Sequence, residues 1–201
     1  MNEVSLSDER LALQCQHGNE AAFEVLVHRY HGPLLGYLYR MCRDVDLAEE
    51  AAQECFARFC ATIDRYRYPG PVRPYLFTIA CNCLKDYLKS AYARRVRLYG
   101  DVGESEARPS GPSDNDAHDE AVSRLERREV VEALAQLPFI YREALVLRFY
   151  QDLSIPEVAK ALGVPEGTVK SRLHGAVNKL KRIMEDKGAG ECAGDALTTR
   201  R

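Results

Sequence analysis

The chain has 201 residues, 28 Lys and Arg against 30 Asp and Glu for a net charge of −2, seven cysteines and no tryptophan. That length suits one sizeable domain or two small ones. No apolar run approaches the ~20 residues of a bilayer-spanning helix, and the opening MNEVSLSDER has acids and no hydrophobic centre, which argues against membrane insertion and a secretory leader and for a cytoplasmic protein.

Helical periodicity runs through the first half. Asn19 is placed to cap a helix whose face is Phe23, Leu26, Val27, Tyr30, Leu34, Leu38 and Met41, with Gly32-Pro33 as a candidate kink. Asp46 is read as the cap of a second helix reaching about Ile63, burying Leu47, Ala51, Cys55 and Phe59. Its outward faces carry Glu50, Gln53 and Glu54, a patch that fits a solvated helix face as well as a docking surface. PGPVRP (Pro69 to Pro74) breaks the pattern before a third helix from about Tyr75 to Tyr92, where Tyr75, Phe77, Tyr87 and Tyr92 interleave with Lys85, Lys89, Arg94 and Arg95. Aromatic faces for bases and cations for phosphates suit unpaired DNA, although aromatics at helical spacing are also ordinary core residues.

Charge is segregated along the chain. The basic block ends at Arg97, and Asp101, Glu104, Glu106, Asp114, Asp116, Asp119 and Glu120 follow among Gly, Ser and Pro. This composition predicts a flexible acidic linker over 99–119. Helical patterning resumes near Glu120, with Leu134, Leu137 and Pro138 marking a join between helices.

Residues 152–180, DLSIPEVAKALGVPEGTVKSRLHGAVNKL, read as two short helices around a tight turn. Ser154 and Glu157 form a capping-box signature; Ile155, Val158, Ala159 and Leu162 make an apolar stripe; Gly163 ends the first helix. Val169, Leu173, Ala176 and Leu180 face inward on the second, leaving Thr168, Lys170, Ser171, Arg172 and His174 outward. From Thr168 to Arg182 there are five cations and no acid. A buried helical hairpin shares the periodicity, but the acid-free face favours a helix-turn-helix whose second helix enters the DNA major groove. The expected fold is all-α: helical domains over 6–98 and 120–187 joined by the linker, then a frayed tail over 188–201.

The seven cysteines form no spaced framework, and Cys81-x-Cys83 and Cys15-x-His17 lack zinc-site spacing, so buried reduced thiols and no metal are expected. No nucleophile–base set or phosphate loop is visible, which argues against an enzyme.

Three motifs, DLAEEAAQECFARF, PYLFTIACNCLKDYLK and LSIPEVAKALGVPEGTVKSRL, stand in the order of the two-domain sigma factors of bacterial RNA polymerase. From about Asp8 to Lys187 the chain resembles their extracytoplasmic-function group within the sigma-70 family. The resemblance implies that Glu50, Gln53 and Glu54 dock on the clamp of the largest subunit of core polymerase. It also implies that Asn82, Lys85, Lys89, Arg94 and Arg95 handle the −10 element of promoter DNA, Asn82 lining a pocket for a flipped base. Thr168, Lys170, Ser171, Arg172 and His174 then meet the −35 element, and an anti-sigma factor is an implied partner. No cofactor is implied.

Two departures stand out. Tyr75 occupies a position where the family usually has Trp, and Gly175 one where many relatives carry an Arg that reaches −35 bases. Arg is the commonest reader of guanine edges, so its absence predicts an altered −35 preference. A conventional helix-turn-helix repressor or activator, with the first half as a dimer or ligand module, remains the alternative; a decoy that titrates an anti-sigma factor is a third.

Overall fold

Capped helices open the chain. Asn19 accepts a bond from Ala22 N at 3.2 Å ahead of α2 (Glu20–Cys42), and Ser7 caps α1 (Asp8–Gln16) in the same way. Asp44 accepts from Leu47 N at 3.0 Å ahead of α3 (Val45–Thr62). Each side chain satisfies a helix N–H that has no intrahelical partner. Asp46, expected as this third cap, lies in the first helical turn, while Asp44 has the extended backbone a cap requires. A short 3-10 turn (Ile63–Arg65) leads to α4 (Val72–Tyr99), which starts before Tyr75 because Pro74 falls in the first turn, where its missing N–H costs no bond.

This computed structural model describes residues 6–99 and 132–194, with side chains described over 6–89 and 132–185. The expected acidic linker beyond Tyr99, the helix start at Glu120 and the tail beyond Gly194 lie outside the described residues. Among those described, all regular structure is helical.

In the second half, residues 132–135 are helical, followed by α5 (Phe139–Phe149), α6 (Ile155–Leu162) and α7 (Glu166–Gly194). The carboxylate of Glu157 accepts from both Ser154 N and Ser154 Oγ at 2.7 Å, which fixes the start of α6. Gly163 ends it in the left-handed region (φ 69°), and Val164 N reaches back to Ala159 O at 3.0 Å. α7 continues through Gly188 and Gly190 to Gly194, beyond the boundary expected at 187.

The core follows the periodic stripes. Tyr37, Phe59 and Phe77 are its largest fully buried side chains in the first half, Tyr37 and Phe77 meeting edge to face at 5.6 Å. On α3 the buried residues are Ala48, Ala51, Ala52, Cys55, Phe56 and Phe59, a wider stripe than the step-of-four reading, with Leu47 half-buried. In the second half, Leu134, Leu137, Leu147, Leu153, Val158, Val169 and Ala176 continue the same buried cluster.

The two halves pack against each other along α4–α6 and α2–α5. Lys85 Nζ donates to Leu162 O at 3.3 Å, the C-terminal end of α6, where the helix dipole favours a cation. Gln151 Nε2 donates to Pro33 O at 3.2 Å, Arg142 Nη1 to Met41 O at 3.5 Å, and the Arg40 guanidinium lies 4.3 Å from the centre of the Tyr150 ring.

Candidate functional site

α3 and α4 enclose a groove of about 500 Å³ lined by Glu50, Gln53, Glu54, Arg58, Cys83, Asp86 and Tyr87. The expected Glu50, Gln53 and Glu54 are all exposed on its α3 wall. Glu54 is committed to an ion pair: Arg58 Nε donates to Glu54 Oε1 at 2.6 Å and Arg58 Nη1 to Asp86 Oδ2 at 2.7 Å. Arg58 thereby straps α3 to α4, and its hydrogen bonds hold the Asp86 carboxyl below the usual carboxylate range. With Glu50, Glu54 and Asp86 against the single cation Arg58, the lining of the groove is net acidic.

The −10 candidates divide. Asn82 and Lys89 stand exposed on α4, while Lys85 is half-buried and bonded to Leu162 O. Arg94 and Arg95 lie on the described backbone of α4, but their side chains are outside the described residues. The aromatics of this motif face mostly inward. Phe77 is fully buried, and Tyr75 packs between Phe59 and Tyr66 and donates its hydroxyl to Thr62 O at 2.8 Å. Tyr75 therefore holds α4 to the end of α3. Tyr87 is half-buried in the groove wall.

On α7, Lys170, Ser171 and His174 share an exposed face, as helical spacing requires. Thr168 is half-buried, and Ser171 Oγ donates to Thr168 O at 2.9 Å, leaving its lone pairs outward. Arg172 differs from them. It is half-buried and acts electrostatically on Glu143 of α5, a carboxylate only 3% exposed. Lys85 acts on Glu143 from the other half. Burial nevertheless raises the Glu143 carboxyl above its ordinary value, against the pull of both cations.

Sequence reasoning did not single out Arg58, Asp86, Asn178 or Tyr141 as site residues. Glu54 and Arg58 were visible as an i, i+4 pair, but Asp86 lies 28 residues away and joins only through the packing of α4 on α3. Asn178 is exposed one turn beyond His174, its Nδ2 3.3 Å from the His174 ring. Tyr141 explains Gly175: a Cβ there would lie 2.8 Å from Cε1 of the Tyr141 ring, whose face Lys179 overlies at 5.8 Å. Among the described residues no cluster of His, Cys, Asp and Glu is placed to hold a metal ion, and no helix is long and apolar enough to cross a membrane.

A family model described as Sigma-70 region 2 matches residues 26–94, and one described as Sigma-70, region 4 matches residues 127–180. The chain is 33% identical over 177 residues to the ECF RNA polymerase sigma factor SigL of Mycobacterium tuberculosis, covering 84% of this chain and 93% of that protein. It is 29% identical over 177 residues to SigW of Bacillus subtilis, covering 86% of this chain and 94% of that protein. Among solved structures the fold is similar to CnrH, solved in complex with the cytosolic domain of CnrY: TM-score 0.67, 24% identity, 90% of this chain and 99% of that one. It is also similar to the sigma factor RpoE of Bartonella quintana, solved with the anti-sigma factor NepR: TM-score 0.62, 23% identity, 81% of this chain and 96% of that one.

Proposed function

The chain belongs to the extracytoplasmic-function group of the sigma-70 family, and we propose that it docks on core RNA polymerase through the α3–α4 groove and directs it to promoters through −10 and −35 contacts. The chain supplies specificity, and the bond-making chemistry belongs to the polymerase. Its place of action is the cytoplasm, where polymerase and promoter DNA are. Glu50 and Gln53 meet basic groups on the clamp of the largest subunit, while the Glu54–Arg58–Asp86 strap fixes the angle between the docking helix and the −10 helix.

Asn82 and Lys89, with Arg94 and Arg95, form the −10 surface, Asn82 receiving an unstacked base and the cations following the backbone. Lys170, Ser171 and His174, with Thr168 at the helix N-terminus, form the −35 surface. Arg172 serves that surface by positioning α7 against Glu143. Two modest contacts on one duplex reinforce through effective concentration, so a chain with two readers needs neither to be tight. An anti-sigma factor completes the proposal: a partner that covers either reader or the groove silences the protein without altering its fold.

The observation that carries this reading is the acid-free exposed face of α7, from Lys170 to His174, in one chain with an acidic groove on α3 and α4. Electrophoretic retention of a randomised promoter pool tests it. Retention of shared −10 and −35 sequences only when core polymerase is present is the expected result. Retention of duplex by the protein alone, as a dimer, would establish the repressor reading instead.

A further inference from the structure

Val169 and Asn178 mark the two sides of α7. Val169 is fully buried against the rest of the domain. Asn178 follows it by roughly two and a half helical turns, so it stands on the opposite side of the helix, and it is exposed. Ser171 and His174, also exposed, lie beside it on that side. Neighbouring cations leave this centre free. Arg172 is half-buried within electrostatic reach of Glu143, and the Lys179 ammonium lies 5.8 Å from the centre of the Tyr141 ring. Gly175 presents no side chain, and the Tyr141 ring occupies the space where one would begin. The middle of the outward face is therefore uncharged: Ser171, His174 and Asn178.

Asn178 is the only amide between Gly167 and Lys187. Neither packing nor helix formation calls for it. The side chain is exposed, and asparagine is a poor helix former because it competes for nearby backbone groups. Among the described residues its hydrogen-bond partner is His174: Nδ2 lies 3.3 Å from Nδ1 and 3.5 Å from Nε2 of the ring. A neutral imidazole carries one bare nitrogen, and with both nitrogens in reach either tautomer accepts this bond. One amide hydrogen is thereby used. The other N–H and the carbonyl oxygen remain side by side, a donor next to an acceptor.

We propose that Asn178 is a specificity-determining residue of the −35 reader, selecting adenine, and that His174 is the positioning residue that holds its amide. The free N–H donates to adenine N7 and the carbonyl oxygen accepts from adenine N6, a pair of edges that no other base displays in the major groove. Guanine would set an acceptor against the amide oxygen. The His174 bond restrains the amide before DNA arrives, which lowers the ordering cost of the contact. Ser171 and Asn178 stand about 10 Å apart along the axis, or about three base-pair steps, so the adenine lies about three pairs from the base that Ser171 meets. This assignment rests on the −35 role given to α7 above and adds which side chain reads and which base it takes.

The test uses the protein bound to core polymerase and a promoter pool with a fixed −10 element and a randomised −35 region, the retained DNA being sequenced. The wild type should enrich adenine at one −35 position. Asn178→Ala should flatten that position by roughly tenfold and leave the others unchanged. Its melting temperature should not fall, since the side chain is exposed and alanine is the better helix former. Asn178→Asp should move the same position from adenine to cytosine, because a carboxylate accepts from cytosine N4 and offers adenine N7 no donor. His174→Ala should weaken the adenine preference and have no further effect on it in an Asn178→Ala background. Equal losses at every −35 position in Asn178→Ala, or no change at any, overturn the assignment. A −35 preference that Lys170→Ala alters and Asn178→Ala does not overturns the assignment alone. A wild type without any −35 preference overturns the −35 role of α7 and this assignment with it.

Discussion

Gly175 is a packing residue. A Cβ at this position would lie 2.8 Å from Cε1 of Tyr141 and 3.3 Å from Cζ, too close for either atom to stay in place. Mid-helix glycine ordinarily costs about 1 kcal/mol relative to alanine, so the ring seated against α7 explains why glycine stands here. Gly175→Ala alone is expected to lower the melting temperature, whereas the same change in a Tyr141→Ala background should raise it by about 1 kcal/mol of stability. Thermal melts of the four proteins in this cycle check it, and additive effects would dissociate the glycine from the ring. Glu143 is the second residue with a measurable signature. Its folded value lies above the ordinary 4.5, so protonation favours the folded form. That contribution is complete below about 4.5 and is lost as pH rises through the raised folded value. Glu143→Gln is therefore expected to raise the melting temperature near neutral pH and to flatten the pH dependence across that window. A lower neutral melting temperature in the variant would mean that the Lys85 and Arg172 attractions outweigh burial.

At the scale of elements, the helix starts and the groove wall carry the account. Glu157 binds both the backbone and the hydroxyl of Ser154, so Ser154→Ala is expected to cost about 1 kcal/mol and to loosen the turn that aims α7. Glu50→Ala and Gln53→Ala act on exposed side chains; each should weaken core binding while leaving the melting temperature unchanged, as titration of labelled protein with core would show. Arg58→Ala differs, because it unties α3 from α4 and should lower both. Much of this layout was legible in the sequence, for definite reasons. The Ser154–Glu157 box and Gly163 are local signals, and local signals place α6 and the turn correctly. The inward stripe of Val169, Leu173, Ala176 and Leu180 is a period that the structure respects, Val169 and Ala176 being fully buried. What escaped is non-local. Asp86 joins Arg58 across two helices, Arg172 is half-buried within electrostatic reach of Glu143 on α5, and Tyr75 packs on the core and bonds Thr62 O. No spacing along the chain encodes those partnerships.

At the scale of the whole molecule, α4 packs on α6, the first helix of the helix-turn-helix. Lys85 binds the end of α6, and Arg40, Arg142 and Gln151 complete the joint between halves. On a promoter the two elements stand roughly 25 base pairs apart, about 85 Å at the rise of duplex DNA. If α4 and α7 carry the −10 and −35 contacts proposed above, both cannot be engaged while α4 rests on α6, and promoter binding then requires the halves to part. The roughly 30 residues between them reach about 100 Å when extended, which suffices. Fluorescent labels at the exposed Asp64 and Lys160 should therefore show efficient energy transfer in the free protein and lose it with core polymerase and promoter DNA. Inefficient transfer in the free protein would mean that the halves are apart from the start. The central claim is promoter-specific initiation, and run-off transcription with core polymerase tests it most directly. The protein should yield discrete transcripts whose start sites share −10 and −35 sequences, and Asn82→Ala or Lys170→Ala should reduce them without loss of fold. Absence of any transcript, although the folded protein binds core, would contradict the account.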